Sequence, residues 1–348
     1  MKTIPAILSR DRLTQVLKAC SNLSTGVVGD LALDAYWYAE MTRSILSRET
    51  PLFPRPIVRE VYLPGAGANV AQNLKCLGTG RVAVFSILGS DWRGEILKGE
   101  MNKRGIDTQH VLTTGERCTN TYIKPMLTGY ASQQEDARLD FENDAPLTQA
   151  MEEQLMETIR SQIDGLDALL AADQIETNGI ITGRMRAFLN ELAGEYPQKT
   201  FLVDSRRHIG DYRNMVLKPN RMEALAAVTQ GTDDRAMNDE DRLTQAGMEL
   251  SQRCRRPVFM TLSEQGVLVV DGKAGQLLPA APVRPPLDPV GAGDAFIAAL
   301  AVSLASGANP LEAGAFANLA AAVTVEKLNQ TGTASPEEIY ARYEMSIE

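Results

Sequence analysis

The sequence predicts an α/β fold, a doubly wound and mostly parallel sheet with a small β-sheet lid. Three observations predict it. Strand-like and helix-like segments alternate from Ala68 onward, the pattern of a parallel sheet covered on both faces. Residues 36–63 are rich in Pro, Arg and β-formers, and Pro51, Pro54 and Pro56 argue against helix there. Near the end, a Pro-rich loop runs through DPVGAGDAF (288–296) into a helix of small and apolar residues.

The elements follow in order. An amphipathic helix over 9–20 leads into a buried strand over 25–33 (TGVVGDLAL). After the irregular 36–63 stretch, ANVAQNLKCLG reads as a helix stopped by Gly78. A strand over 81–88 precedes a helix over 91–103 that opens on an Asp91 cap. Strands are predicted at 110–112 and 119–126, then helix 147–162, strand 168–171, helix 183–193 and strand 200–203. A short strand at 215–217 leads to helices 221–228 and 239–253. Strands over 258–262, 266–270 and 275–279 precede two small-residue helices, 292–305 and 310–327. One domain is expected over 1–348, with its lid drawn from about 35–63 and 109–141.

Composition narrows the function classes. The 348 residues carry a net charge of −9. That surface offers no field for nucleic acid or an anionic membrane, so neither is expected as a partner. Cys20, Cys76, Cys118 and Cys254 form no CxxC pair, and the two histidines are too few for a histidine-rich metal site. The opening MKTIPAILSRDRL lacks the apolar core of a secretion signal, and no run approaches a membrane span. A cytoplasmic protein is the expectation.

The segment that carries chemistry is DPVGAGDAF. The N–H groups of Gly291, Ala292 and Gly293 are expected to converge at a helix start, a hollow that suits an anion. Asp294 then stands beside that anion. Like charge repels, so a carboxylate there makes sense as acceptor of a proton from an attacking hydroxyl. Phosphoryl transfer needs both parts. The competing reading is a Gly-rich turn with an Asp cap. GxxxxGK[ST] and GxGxxG are both absent, so neither a P-loop nor a dinucleotide fingerprint is indicated. In KPNRME (218–223), Asn220 and Glu223 lie three apart; they suit a largely hydrated Mg²⁺ or a capping box. In GDLALD (29–34) and PGAGAN (64–69), Asp34, Gly67 and Asn69 suit sugar hydroxyls or plain loop structure. Arg138, Arg206, Arg207, Arg213 and Lys218 are candidate phosphate ligands or solvated surface charges.

In this order, these segments resemble the ribokinase (PfkB) family of carbohydrate kinases from Gly29 to about Ile339. The resemblance implies a ribokinase-like fold, ATP and Mg²⁺ as cofactors, and a monovalent cation such as K⁺ near Asp288. It implies that Asp294 is the base, that residues 291–293 form the anion hole, and that Asn220 and Glu223 organise Mg²⁺ through water. Arg206, Thr261, Ser263, Gly266 and Asn318 would serve the nucleotide. Asp34, Gly67 and Asn69 would face the sugar, with Lys124 and Arg138 available for a substrate phosphate. A homodimer through the lid is implied as well. GDLALDAYWYA, ARLDFEND, FLVDSRR and LKPNRMEA are most similar to the branch acting on D-glycero-β-D-manno-heptose 7-phosphate. Departures from that branch are Ala66 in place of a second glycine, Arg206 in place of lysine, and DQIETNG (173–179) in place of an aromatic-and-lysine pattern. The chain also ends at Glu348 without a fused nucleotidyltransferase domain. The other readings are a kinase for a nucleoside or another small alcohol, with Tyr36, Trp37 and Tyr38 stacking a base, and a non-catalytic sugar or nucleotide sensor.

Overall fold

The computed structural model describes residues 3–229, 239–328 and 331–347. The chain opens with α1 (Ile4–Ile7) and α2 (Arg10–Cys20), then β1 (Ser24–Gly29), β2 (Leu31–Glu40), β3 (Ile57–Ala66) and α3 (Gly67–Cys76). Next come β4 (Arg81–Gly89), α4 (Trp92–Lys103), β5 (Val111–Thr114), β6 (Asn120–Gly129), β7 (Ser132–Glu135) and β8 (Leu139–Phe141). The middle holds α5 (Gln149–Gln162), β9 (Ala168–Asp173), α6 (Gly183–Glu195), β10 (Thr200–Ser205), β11 (Val216–Leu217), α7 (Arg221–Val228) and α8 (Glu240–Cys254). The last part holds β12 (Val258–Thr261), β13 (Val267–Asp271), β14 (Ala274–Leu278), α9 (Ala292–Ala305), α10 (Pro310–Thr324) and α11 (Pro336–Met345).

Nine strands form one sheet in the order β14-β13-β12-β11-β10-β9-β1-β4-β5. Pairing is parallel except at β12–β13 and β13–β14. The strands read as nearly continuous apolar runs because both faces are covered. One face packs on α2, α3, α9, α10 and α11, and the other on α5, α6, α7 and α8. Helix α9 is buried from Ala295 to Ser303 on every side. Its small residues let α10 and α3 approach closely, while large buried partners such as Leu300 and Phe316 each contribute about 1.5–3 kcal/mol. Chain order reverses between β1 and β9, and ligand clefts of open α/β sheets form at such a reversal.

A second sheet, β3-β2-β6-β7 with β8 also on β6, is the lid. Its strands begin at Leu31, earlier than residue 35. The predicted single strand over 25–33 is two strands in different sheets. Both halves are buried, so the apolar run gives no sign of the break. The break sits at Gly29, whose φ is +155° and where a Cβ would lie 2.3 Å from the Ala172 carbonyl oxygen. Asp30 then turns inward: its carboxylate accepts from the Ile180 amide at 2.8 Å. Burial pushes the Asp30 carboxyl up to about 6, against the pull of the Ile180 amide and Arg117. The strand at 110–112, expected with the lid, is β5 and lies at the core sheet's edge beside β4. Helix α11 had no predicted counterpart. Among the described residues no helix is long and apolar enough to cross a membrane.

Candidate active site

At the C-terminal ends of β9, β10 and β11, under the lid, lies a cavity of about 460 Å³. The core contributes Asp204, Arg206, Lys218, Glu223 and the turn that carries Gly291, Gly293 and Asp294. The lid contributes Asp34, Tyr122, Arg138 and Glu142.

Asp294 is in the first turn of α9, and the turn before it is built by Gly291 at φ +81°. The hollow is smaller than the sequence suggests. The Ala292 amide donates to the Pro289 carbonyl at 3.2 Å, because the chain tightens as it enters the helix, so this amide is not available to a ligand. The amides of Gly291 and Gly293 have no protein partner among the described residues. Two backbone donors at a helix start therefore remain, and Gly293 lies beside the Lys218 ammonium: a Cβ there would be 3.7 Å from Nζ.

The Asp294 carboxylate is half-buried in the cavity wall and oriented on both oxygens. Asn69 Nδ2 donates to Oδ2 at 2.7 Å, and Gln174 Nε2 donates to Oδ1 at 3.0 Å. Burial raises its pKa above the ordinary aspartate value; the two amide donors and Lys218 oppose this, and Asp204 adds to it. A carboxylate of raised pKa is a better proton acceptor. Lys218 Nζ is 3.3 Å from Asp204 Oδ1. Burial pulls that ammonium down, but the carboxylates of Asp204, Glu223 and Asp294 outweigh it and hold it above its ordinary value. A buried, permanently charged ammonium next to two free amides is chemistry suited to a phosphate.

Asn220 and Glu223 form a capping box on α7: Glu223 N donates to Asn220 Oδ1 at 2.9 Å, and Asn220 N donates to Glu223 Oε2 at 2.7 Å. Glu223 still lines the cavity, whereas Asn220 faces its own helix. Burial raises the Glu223 pKa against Lys218. No cluster of three or more metal-ligating side chains occurs among the described residues. The donor set fits Mg²⁺ carried mainly by phosphate and water, with Glu223 at its edge, and does not fit a direct protein cage.

The remaining expected residues divide into two groups. Asp34 and Arg138 line the cavity; Lys124 does not, and donates to the Tyr36 hydroxyl at 3.1 Å while standing 3.8 Å from Asp34. Gly67 is a structural position whose amide donates to the Asp30 carbonyl. Thr261, Ser263 and Gly266 lie at the end of β12, outside this cavity, with Thr261 bridged to Asn220. Asn318 is buried and gives its Nδ2 to the Pro279 carbonyl. Arg207 pairs with Glu176, and Arg213 is spent on the carbonyls of Gly210 and Tyr212, so neither is a cavity ligand. Sequence reasoning missed Gln174 and Asp204. Asp204 was legible as the acidic end of an apolar strand, FLVD; Gln174 carries no signal beyond its place after β9.

The model of the pfkB family of carbohydrate kinases matches residues 35–338. The chain belongs to that family. It is 30% identical over 335 residues to the bifunctional protein HldE of Trichlorobacter lovleyi, covering 96% of this chain and 65% of that one. It is 33% identical over 316 residues to HldE of Wolinella succinogenes, covering 90% and 63%. The chain thus spans a little under two thirds of these curated relatives. Among solved structures, phosphofructokinase-2 of Escherichia coli in complex with fructose-6-phosphate matches with a TM-score of 0.69 at 20% identity, over 94% of this chain and 100% of that one. Arabidopsis thaliana ribokinase complexed with ribose and ATP matches with a TM-score of 0.64 at 16% identity, over 92% and 98%. At those identities the likeness concerns the fold, which is ribokinase-like.

Proposed function

We propose that this pfkB-family chain transfers the terminal phosphoryl group of ATP to a hydroxyl of a phosphorylated sugar, with a heptose 7-phosphate as preferred acceptor. The observation that carries the reading is Asp294, in the cavity wall at the helix start beside two free amides and the Lys218 ammonium. In the proposed reaction the acceptor O–H bond breaks and its proton passes to Asp294. A P–O bond forms to the acceptor oxygen, and the bond to the β-phosphate oxygen breaks with its electron pair leaving on ADP. Each Asp294 oxygen has a lone pair left after Gln174 and Asn69 are satisfied. Gly291, Gly293 and Lys218 would hold the transferring group. Mg²⁺, when bound, would neutralise the phosphate charge, and Glu223 would steady its waters. The lid keeps out water that would otherwise accept the phosphoryl group.

The heptose phosphate assignment is supported by the identity to proteins named HldE and by the two guanidinium groups, Arg138 and Arg206, in the cavity wall. The nucleoside reading loses support: Tyr36 is buried, Arg59 sits on the Tyr38 ring at 3.8 Å, and neither these tyrosines nor Trp37 line the cavity. The expected homodimer would cover the exposed Ile45, Leu46, Leu52 and Phe53 of the lid excursion.

The test is a phosphotransfer screen over hexoses, heptoses and their phosphates, with Mg²⁺ and either K⁺ or Na⁺. Heptose 7-phosphate is expected to give the highest kcat/KM. Preference for an unphosphorylated sugar would overturn the substrate assignment, and no ATP consumption with any acceptor would favour a sensor.

A further inference from the structure

Between the carboxylates of buried Asp204 and half-buried Asp294 stands one neutral side chain. Gln174 Nε2 is 3.0 Å from Asp294 Oδ1 and 3.5 Å from Asp204 Oδ2. We propose that Gln174 is a positioning residue that holds the Asp294 carboxylate towards the acceptor hydroxyl by donating one N–H to it and the other to Asp204.

The chemistry of the position favours a carboxamide. Its nitrogen carries two hydrogens, one for each acid. An aliphatic side chain would leave two carboxylates facing each other without a donor between them. Glutamate would add a third negative charge. Lysine would bring a full positive charge against Asp294 and weaken it as a base. Asparagine is one methylene short of the span.

The surrounding structure fixes Gln174. The preceding residue, Asp173, ends β9, and its Oδ2 accepts from the Ser205 hydroxyl at 2.7 Å and the Tyr212 hydroxyl at 2.9 Å. The Asp173 carbonyl accepts from the Arg206 amide. The far end of the same loop is held where the Ile180 amide donates to Asp30 at 2.8 Å. A relay results: Lys218 on Asp204, Asp204 near Gln174, Gln174 on Asp294, Asn69 on the other Asp294 oxygen. It links a cavity cation from the end of β11 to a carboxylate on α9 through the β9 loop.

The proposal rests on Asp294 being the base, so its test keeps the two claims apart. Gln174→Leu removes a donor to the ionised carboxylate, which then holds its proton more tightly. With heptose 7-phosphate and, as a second acceptor, fructose 6-phosphate, Q174L should lower kcat by about 10- to 100-fold, the usual worth of a hydrogen bond to a charged group. The acid limb of the kcat/KM profile should move to higher pH by about one unit. Q174E should move it further in the same direction, with KM for ATP little changed. A readout without substrate accompanies this: the thermal-stability deficit of Q174L against the parent should be larger at pH 7 than at pH 4.5, because the lost bond is to the ionised form. If D294N is inactive while Q174L leaves the acid limb and the pH dependence of the deficit unmoved, the inference is wrong and the base assignment stands. If D294N retains turnover, the base assignment itself fails. Should Q174L not fold by circular dichroism, Q174N, which keeps the carboxamide but falls short of the span, carries the same comparison.

Discussion

The two walls of the cleft are built differently. The core wall is interlocked: Asp294, Lys218, Asp204 and Gln174 hold one another, and two amides stand ready. The lid wall holds its charges in local pairs. Arg138 forms two bonds to Asp140, at 2.7 and 2.6 Å, and lies over the Tyr122 ring at 4.9 Å, with its side chain half exposed. Exposed pairs of this kind are worth little, so a ligand phosphate can take Arg138 from Asp140 cheaply. Bond making needs fixed dipoles at the moment charge develops, whereas substrate choice can be made by side chains that exchange partners. Rate should therefore be lost at the core wall and selectivity at the lid wall.

The strongest way to break that comparison is Asp294→Asn. Turnover should fall on the order of 10²–10⁴-fold, the contribution of a positioned general base, with ATP binding retained; calorimetry and steady-state kinetics check both. Substantial residual transfer would sink the base assignment. The same variant has a stability signature. The folded-state pKa of Asp294 is raised, so the stability tied to its proton is present in acid and lost as pH rises through the folded value. D294N should thus gain on the parent in thermal melts as pH goes from acid to neutral.

Glu223→Gln is the next step down. Glutamine can still accept from the Asn220 amide, so the cap of α7 survives and only the charge is lost. The Mg²⁺ concentration for half-maximal rate should rise about tenfold, since a charged ligand's share of a hydrated site is of order 1–2 kcal/mol. An unchanged Mg²⁺ titration would remove Glu223 from the metal's surroundings.

Arg138→Ala tests the lid wall. KM for a phosphorylated acceptor should rise about tenfold with kcat nearly constant, the mark of uniform binding. Asp140→Asn, which weakens the competing pair, should lower KM. A fall in kcat without a KM change would mean that the lid wall takes part in the rate and that the division drawn here is wrong.

What could be read from the sequence follows the same division. The core helices and strands carry apolar periodicity and caps, and DPVGAGDAF compresses turn, helix start and carboxylate into nine adjacent residues; Asp294 and Gly291 were legible for that reason. The crossing from core sheet to lid at Gly29–Asp30 was not, because burial continues through it and only contact with Ala172 imposes the bend. The bond that takes up the Ala292 amide was not legible either, since its closure onto Pro289 depends on dihedrals that residue types do not fix. Helix α11 carries a local signal, a Ser335–Glu338 capping box with Pro336 at the helix start. Gln174 could not be read at all: its partners are 30 and 120 residues away.

The smallest expected effect lies where the walls meet. Ala66 closes β3, caps α3 and lines the cavity, and its backbone sits at φ 49°, ψ −131°. That region is close to glycine-only territory and costs an alanine of order 1–3 kcal/mol. Ala66→Gly releases the strain but loosens the unfolded chain, which costs about 0.4–1 kcal/mol. The balance favours glycine by about 1 kcal/mol, so the melting temperature should rise by about 1–2 °C in a chain of this length. The methyl group also belongs to a residue of the cavity wall. With it gone, kcat for the best acceptor should hold within about threefold, because the core wall is untouched, while the preference over the second-best acceptor should narrow by about fivefold, one methyl being worth about 1 kcal/mol. A lower melting temperature with unchanged acceptor preference would show that the alanine is unstrained and that selectivity is set elsewhere on the lid.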